Sequence, residues 1–277
     1  KGDCATRNYT RRLMAERDRE VTGDGGHGLA RARAHAYETG RMTARPLDRS
    51  RPLVVVSDVH GMAHDLAGTL ARIDAAGAFP ILLGDLVDRG PDSVGVLRLV
   101  VERLARGSLA LIRGNHDERL LRLLGAADGS TSPALDELRA SPDSPALEKG
   151  VRRALATAPY WIILPGYALV HGAFHPDMLT CPSRGLGPEV PRKLRALALY
   201  GETTGRLDAD GYPIRTHRWV ERIPTGLTVI VGHDVRQTHE PLVVDNGAGG
   251  RAVFLDTGAG KGGRLSTWPI PPILPAP

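Results

Sequence analysis

The sequence predicts an α/β fold, because short apolar strands alternate with amphipathic helices in its first half. Leu53–Val56 is a β-branched run typical of a buried strand, and Pro80–Leu83 and Leu109–Ile112 are apolar runs of the same length. Helical patterns follow the first two strands, at Asp65–Ala76 and Ser93–Arg106. A repeated order of strand, polar loop and helix predicts βαβ units, which place parallel strands in one sheet.

The second half of the chain predicts more strands and fewer helices. Pro165-Gly166 separates two apolar runs, which predicts a hairpin. Residues 125–150 are rich in Gly, Ser, Ala and Pro, and we interpret them as an insertion or cap with short helical stretches. Residues 174–226 are interpreted as one helix and a long polar loop. The elements predicted here are strands at Trp161–Leu164, Tyr167–Val170, Leu227–Val231, Ala252–Leu255 and Gly263–Thr267, and a helix at about Val190–Tyr200.

Changes in composition divide the chain into three parts. Residues 1–50 are polar and arginine-rich, and we expect them to form an extension outside the core. Residues 51–268 hold all the predicted strands and form the predicted domain. Residues 269–277 form a proline-rich tail that we expect to be extended. A chain of 277 residues is long enough for one such domain with a well-buried core.

The composition argues against some classes of function. Only four of the 36 basic residues are lysines, and the arginines are spread along the chain, so the net charge of +5 fits a phosphate-bearing ligand without demonstrating one. An aromatic content of 4% argues against a stacking platform for single-stranded nucleic acid. No apolar run approaches the ~20 residues that span a bilayer, so we expect no membrane partner. Cys4 and Cys181 make no disulfide framework, which predicts a reduced, cytoplasmic setting.

Polar clusters stand directly after five of the predicted strands. In open α/β sheets, side chains at the carboxyl ends of strands meet in one crevice. Carboxylate oxygen, imidazole nitrogen and amide oxygen are ligands suited to Mn, Fe or Zn. The sequence therefore predicts a metal site, and a carboxylate such as that of Asp85 is able to bridge two cations. The clusters contain Asp58 and His60, then Asp85, then Asn115 and His116, then His171, and finally His233.

The order of these clusters resembles the calcineurin-like metallophosphoesterase superfamily. The motifs are Asp58-Val59-His60-Gly61, Gly84-Asp85-Leu86-Val87-Asp88-Arg89-Gly90, and Gly114-Asn115-His116-Asp117-Glu118, followed by His171-Gly172 and Gly232-His233. The Val-Asp-Arg-Gly extension is similar to the phosphoprotein-phosphatase branch. The resemblance covers about residues 52–267. It implies a sandwich of two mixed β-sheets flanked by helices, in the order αββα.

The resemblance also implies a role for each motif residue. Two divalent metal ions are expected, with manganese first and Fe, Zn, Ni or Mg as alternatives, and a hydroxide bridging them would attack the phosphorus. The first metal's ligands match Asp58, His60 and Asp85, and the second metal's ligands match Asp85, Asn115, His171 and His233. His116 matches the general acid, Asp88 the carboxylate that orients it, and Arg89 a phosphate-binding arginine. An alternative for Asp88 is a helix N-terminal carboxylate or a surface ion pair with Arg89.

The C-terminal half bears on the choice of substrate. Tyr200–Gly205 and Asp210–Arg215 resemble the phosphatase module of bacterial polynucleotide kinase-phosphatase, although the chain has no Gly-rich kinase loop. Leu255-Asp256-Thr257-Gly258 resembles that module and also diadenosine-tetraphosphatase-like enzymes. Asp256 is expected either to bind substrate or to form a turn. Arg236 is expected to be either a further phosphate contact or a solvated surface residue, and Asn115 is expected to reach substrate as well as metal.

Three substrates are therefore compatible with the sequence. The first is a phosphomonoester, on a phosphoprotein or a small molecule. The second is a dinucleoside polyphosphate. The third is the end of a nucleic acid, as a terminal or a cyclic phosphate. A non-catalytic phosphate-binding scaffold is the alternative from another class, and the oligomeric state is not predicted.

Overall fold

The computed structural model describes residues 50–181, 183, 190–211 and 213–273. Within these residues there are eleven strands, five of which precede residue 171. In chain order the strands are β1 Leu53–Val56, β2 Phe79–Leu82, β3 Ala110–Leu111, β4 Trp161–Leu164, β5 Tyr167–Val170, β6 Thr203–Leu207, β7 Pro213–Arg215, β8 Thr228–Val231, β9 Leu242–Asp245, β10 Arg251–Phe254 and β11 Thr267–Ile270. The α-helices are α1 Ala63–Ala75, α2 Ser93–Arg106, α3 Asn115–Gly125, α4 Pro133–Ala140, α5 Ser144–Thr157 and α6 Arg192–Tyr200.

Two mixed sheets form the centre of the molecule, as the predicted fold class requires. The first sheet has the order β11-β1-β2-β3, with β1, β2 and β3 parallel and β11 antiparallel to β1. The second has the order β4-β5-β8-β10-β9, with β5, β8 and β10 parallel and the two edge strands antiparallel. The parallel strands of both sheets bring their carboxyl ends to the edge where ligand sites form.

Each central strand is buried on both faces, which explains its unbroken apolar sequence. In β1, Leu53 and Val55 pack between the two sheets, whereas Val56 packs against the helices that cover the first sheet. A separate cluster on the outer face of the second sheet includes residues of α6 and the 3₁₀ helix Arg218–Arg222. The layers are therefore helix, sheet, sheet and helix.

Helix α2 has the bounds that the sequence predicts, because both of its ends carry strong local signals. The Asp92 carboxylate accepts a hydrogen bond of 2.6 Å from the Gly95 N–H at the first turn. Gly107 follows the last residue in the left-handed conformation, with φ of 66°. Val94, Leu97 and Val100 lie on the buried face.

The structure differs from the sequence predictions at several elements. Residues 125–150, which we interpret as an insertion or cap with short helical stretches, contain α4 and the first part of α5, and these bury Leu138 and Leu147 in the core of the helical layer. The long polar loop contains the exposed hairpin β6–β7, and β9 was not predicted. The predicted tail begins inside β11, where Pro269 pairs with Val54 on an edge strand and Ile270 is buried.

The remaining part of the predicted tail and the N-terminal extension fall largely outside the described residues. Residues 1–49 and 274–277 belong to this part of the chain, so the predicted extension stays a prediction. In the part that the structure describes, no helix combines the length and apolar character needed to cross a bilayer.

Candidate metal centre

The structure brings the polar residues that follow five strands into one cluster. Asp58, Asp85 and His171 are buried, with at most 1% of each residue exposed. Asp85 lies at the centre: its Oδ2 is 3.5 Å from His60 Nε2, and its Oδ1 is 3.4 Å from His171 Nε2. Asn115, at the start of α3, places its Oδ1 3.1 Å from the same His171 nitrogen. Residues far apart in sequence thus converge where the parallel strands end.

Backbone carbonyls fix the orientation of two of the histidines. The Nδ1–H of His60 donates to the Val87 carbonyl at 3.0 Å, and the Nδ1–H of His171 donates to the Leu83 carbonyl at 3.0 Å. With Nδ1 protonated, the Nε2 lone pair of each neutral ring faces the cluster. This arrangement, in which one ring nitrogen binds a carbonyl and the other is exposed to a shared space, is typical of metal-bound histidine.

The pKa values of these histidines favour the neutral, ligand-competent form. Burial lowers the pKa of His60 to about 4. Burial also lowers the pKa of His171 and, well below its ordinary value, that of His233. His233 Nε2 is buried and has no hydrogen-bond partner within the described residues. An unpaired buried lone pair costs free energy, and a cation would satisfy it.

Carboxylates crowd the same region. Burial raises the pKa of Asp58 well above its ordinary value, and the nearby charges of Asp256 and Asp85 raise it further. Burial would also raise the pKa of Asp85, but the surrounding His171, His116 and other imidazoles lower it to about 2. Carboxylate oxygens and imidazole nitrogens therefore lie close together in this space, and divalent cations fit such a set of ligand atoms.

The ligand atoms fall into two groups that share one carboxylate. His60, Asp85 and His116 have ligand atoms within 4.8 Å of one another, and so do Asp85, His171 and His233. Asp58 lies between the two groups, with Oδ2 4.0 Å from His60 Nε2 and Oδ1 3.9 Å from His171 Nδ1. Both Asp58 oxygens accept from the His233 backbone N–H, at 3.1 and 3.0 Å. This arrangement of ligand atoms suits two cations, one on either side of Asp85.

His116 stands beside the first group but is engaged elsewhere. Its Nδ1–H donates to Asp88 Oδ2 at 2.5 Å, and its backbone N–H donates to Asp85 Oδ1 at 2.9 Å. Burial alone would lower the pKa of His116, but the hydrogen bond to Asp88 and the charge of Asp85 raise it. The ring is therefore held in a form suited to donating a proton from Nε2.

Two arginines lie beside the site: Arg89, which the sequence predicted, and Arg215, which it did not. Arg89 is exposed and places Nη1 2.8 Å from His60 Nε2. Arg215, at the end of β7, donates to the Tyr200 carbonyl at 2.9 Å, and its charge contributes to the lowered pKa of His171 and His233. Only its membership of the 210–215 motif could have singled out Arg215, because an isolated arginine on an exposed hairpin carries no spacing signal.

A buried carboxylate that holds the motif loops together was also missed. Asp117 accepts hydrogen bonds of 2.9 Å from the backbone N–H groups of Asp85, Leu86 and Gly114. It therefore fixes the loop after β2 against the loop after β3. Its place between His116 and Glu118 gave no sign of this role, because the three partners are backbone groups.

Asp256 and Arg236, the two predicted substrate contacts outside the motif loops, lie in different surroundings from each other. Asp256 is 1% exposed, and its Oδ1 accepts from the Gly258 N–H at 2.8 Å, as in the turn that is one of its two expected roles. Its Oδ2 is buried and has no hydrogen-bond partner within the described residues, so contact with substrate stays a prediction. Arg236 is exposed and lies 3.8 Å from Asp234 Oδ2, on the wall of a separate cavity rather than among the ligand atoms.

Comparison with known proteins identifies relatives over most of the chain. The sequence profile of calcineurin-like phosphoesterases matches residues 51–237. The chain is 26% identical to the asymmetrical bis(5′-nucleosyl)-tetraphosphatase PrpE of Bacillus subtilis over 238 residues, which cover 79% of this chain and 91% of that protein. It is 33% identical to the symmetrical bis(5′-nucleosyl)-tetraphosphatase of Ralstonia nicotianae over 153 residues, which cover 53% of this chain and 50% of that protein.

Two solved structures share the fold. A provisional diadenosine tetraphosphatase superposes with a TM-score of 0.53 at 22% identity and covers 80% of this chain and 90% of its own. A protein serine/threonine phosphatase from Saccharomyces cerevisiae also has a TM-score of 0.53, at 14% identity, with 97% of each chain covered. These likenesses bear on the fold, whereas the profile match covers the motif loops themselves. The chain belongs to the calcineurin-like phosphoesterase family and is a hydrolase of phosphoester bonds.

Proposed function

We propose that the protein hydrolyses dinucleoside polyphosphates with the help of two divalent cations, for which manganese is the expected metal. Phosphomonoesters are its second class of substrate. The observation that carries the proposal is the cluster of acceptor atoms around Asp85, in which histidine Nε2 atoms face carboxylate oxygens at 3.4 and 3.5 Å. The sequence alone favours phosphomonoesters. Because relatives are named bis(5′-nucleosyl)-tetraphosphatases, we rank dinucleoside polyphosphates above phosphomonoesters as the candidate substrate.

The ligand set divides between the two cations as the family resemblance implies. Asp58 and His60 would hold the first cation, and Asn115, His171 and His233 would hold the second, while both would share Asp85. His116 is close enough to join the first group, but its hydrogen bond to Asp88 and its raised pKa suit a proton donor better than a ligand. When bound, the cations supply the Lewis acidity that activates water and offsets phosphoryl charge.

The side chains around the cluster orient the substrate and move a proton. Arg89 and Arg215 flank it and offer planar guanidinium forks to phosphoryl oxygens. His116 gives its Nε2 proton to the leaving oxygen, and Asp88 holds the ring by Nδ1. Burial of the ligand residues excludes bulk water, which strengthens the attraction between these cationic groups and the substrate.

A second candidate keeps nucleic-acid ends as substrate. The hairpin β6–β7, which contains most of the motif that resembles polynucleotide kinase-phosphatase, stands beside the cluster and contributes Arg215. A scaffold that binds phosphate without turnover has less support, because a proton donor with its orienting carboxylate serves no purpose in binding alone.

A substrate panel tests the proposal. We expect Mn²⁺-dependent hydrolysis of p-nitrophenyl phosphate, and a higher kcat/KM for diadenosine tetraphosphate than for a phosphopeptide or an oligonucleotide with a 3′-phosphate. Asp85→Asn should remove activity on every substrate, while Asp65→Asn on the exposed face of α1 should not. Absence of metal-dependent turnover would refute the enzyme, and preference for the oligonucleotide would replace the substrate class.

The proton-donor role of His116 has its own test. His116→Ala should lower turnover sharply on a substrate with a poor leaving group, since that oxygen needs a proton. The loss should be smaller on p-nitrophenyl phosphate, whose leaving oxygen hardly needs one. Equal losses on both substrates would count against the role.

A further inference from the structure

A cavity of about 400 Å³ opens on the outer face of the second sheet, next to the candidate metal centre. Its apolar wall comes from Val220 of the 3₁₀ helix, Leu242 and Val244 of β9, and Phe254 of β10. Its rim is polar and includes Arg236. A volume of this size, with an apolar wall and a few polar groups, is typical of small-molecule sites.

The cavity adjoins the candidate metal centre. A smaller cleft beside His233 and Arg215 shares two of its lining residues, His217 and Phe254, with the cavity. The two rings are in contact, with centroids 5.3 Å apart. His233 belongs to the candidate ligand cluster. The cleft has a volume of only about 10 Å³, so a ligand that joins the cluster to the cavity lies over the cleft rather than inside it.

Charged groups mark the path between the two. Asp234, which follows His233, is 2.6 Å from His217 Nε2. Two arginines approach Asp234 from opposite sides: Arg215 Nε at 3.9 Å on the side of the cleft, and Arg236 Nη1 at 3.8 Å on the side of the cavity. Neither distance is that of a close ion pair, so each guanidinium keeps donors for another anion.

Part of the cavity lining is acidic. Glu221 and Asp245 line it, both are exposed, and Asp245 Oδ1 accepts a hydrogen bond of 2.8 Å from Arg251 Nε. Carboxylates repel phosphates but accept hydrogen bonds from sugar hydroxyl groups. From the metal ligands outward, the two arginines that flank Asp234 come first, and the apolar, aromatic and acidic residues line the cavity beyond them. These groups match the phosphates, the base and the ribose hydroxyl groups of a nucleotide better than they match a phosphopeptide.

We propose that this cavity binds one nucleoside of a dinucleoside polyphosphate, whose phosphate chain crosses Arg215 and Arg236 to reach the metal centre. This inference rests on the proposed function and names the part of the substrate that gives the site its specificity. The base packs on Phe254 and the β9 side chains, and the ribose meets the acidic part of the lining. An apolar peptide in the same groove is the alternative that the experiment must reject.

Two valines on β9 provide a matched pair of variants. Val244 lines the cavity, whereas Val243 is exposed and points to the opposite face of the strand. Val244→Trp fills the cavity, and Val243→Trp makes the same change outside it. Both are made in a His116→Ala background with Mn²⁺ present, so that turnover does not consume the ligand, and binding is measured by calorimetry.

We expect Val244→Trp to weaken diadenosine tetraphosphate about tenfold, the loss expected when a base loses its stacking surface. Tripolyphosphate, which lacks nucleosides, should bind unchanged, and Val243→Trp should change neither affinity. Equal weakening of both ligands, no weakening, or the same effect from Val243→Trp would overturn the proposal. The proposal would also be overturned if Val244→Trp weakened the binding of an apolar peptide and left the binding of diadenosine tetraphosphate unchanged.

A second variant covers the case in which Val244→Trp fails to fold. Arg236→Ala changes an exposed side chain, and in the otherwise unaltered protein it should raise the KM for diadenosine tetraphosphate at least fivefold more than the KM for p-nitrophenyl phosphate. An equal change in the two KM values would overturn the inference. If the protein hydrolyses no phosphoester, the proposed function fails, while the calorimetric comparison still decides whether the cavity binds nucleosides.

Discussion

At the scale of single residues, the candidate site is built on an unfavourable backbone conformation. Five non-glycine residues in the described ranges have positive φ, between 44° and 70°. For L-residues this left-handed region costs roughly 1–2 kcal/mol each. Such strain persists only where the surroundings hold it, and it is typical of functional sites. The five are His60, Asp85, Asp88, Arg89 and His233, all predicted site residues.

The cost can be measured at Arg89, which is exposed and has φ of 70°. Arg89→Gly should be more stable than Arg89→Ala by roughly 1 kcal/mol, because glycine adopts this conformation without a clash. Urea unfolding without metal gives the two free energies. At Glu102, an exposed position inside helix α2, substitution by glycine and by alanine should rank in the reverse order. Alanine as the more stable residue at position 89 would show that the conformation is not strained.

The pair of Asp88 and His116 makes a prediction about pH. The carboxylate raises the pKa of His116, so the ring stays protonated to a higher pH. Asp88→Asn removes that charge and lowers the pKa of His116. Activity lost as pH rises should therefore be lost at a lower pH in the variant, while Asp65→Asn leaves the profile of kcat/KM unchanged. An alkaline limb that does not move would exclude this coupling.

At the scale of elements, the loops after β2 and β3 approach so closely that they act as one unit. A Cβ atom at Gly114 would lie 2.2 Å from Asp85 Oδ1 and 2.3 Å from the Asp85 backbone nitrogen. The loops are joined by Asp117, whose carboxylate accepts from three backbone N–H groups. This contact sets the position of Asp85 relative to Asn115, and hence the space for the cations.

Asp117→Asn should therefore affect stability and metal binding together. The amide keeps one acceptor oxygen, and its NH₂ group faces buried donors, so we expect a loss of about 2 kcal/mol in the free energy of unfolding. Mn²⁺ affinity should fall as well, because the two loops lose their fixed spacing. Glu102→Gln on the exposed face of α2 should change both quantities little. Lower stability with unaltered affinity would leave Asp117 a structural residue only.

Some elements could be predicted from sequence because their signals are local. Helix α2 carries its own caps, and the Leu53–Val56 strand is a β-branched run buried on both faces. The hairpin β6–β7 could not be recognised, because all its described residues are exposed and it has no apolar alternation. Helix α5 was obscured by the Gly- and Ser-rich segment before it, although Val151 and Leu155 are buried.

The ligand residues could be selected because each follows an apolar strand, and such strands end at a common edge. Arg215 and Asp117 could not be assigned roles in this way. Arg215 reaches the site from an exposed hairpin, and Asp117 acts through backbone groups that have no side-chain signature. For Asp256 the motif left substrate contact and a turn as alternatives, and sequence could not show that its side chain is buried with Oδ1 bound to the Gly258 N–H.

At the scale of the whole molecule, the two sheets gather negative charge in a buried place. Asp58, Asp85 and Asp256 are each 1% exposed, and the first sheet contributes two of them while the second contributes the third. Burying such charges is unfavourable unless cations offset them. Cation binding is therefore expected to stabilise the association of the two sheets, since a ligand that binds only the folded state raises its stability.

The number of Mn²⁺ ions bound to each chain at saturation, measured by equilibrium dialysis and elemental analysis, tests whether the cluster around Asp85 holds a pair of cations. We expect two in the unaltered protein, one after either Asp58→Ala or His233→Ala, and two in the Asp65→Asn control. Binding of no Mn²⁺ by the unaltered protein, or two ions retained by both alanine variants, would contradict this expectation.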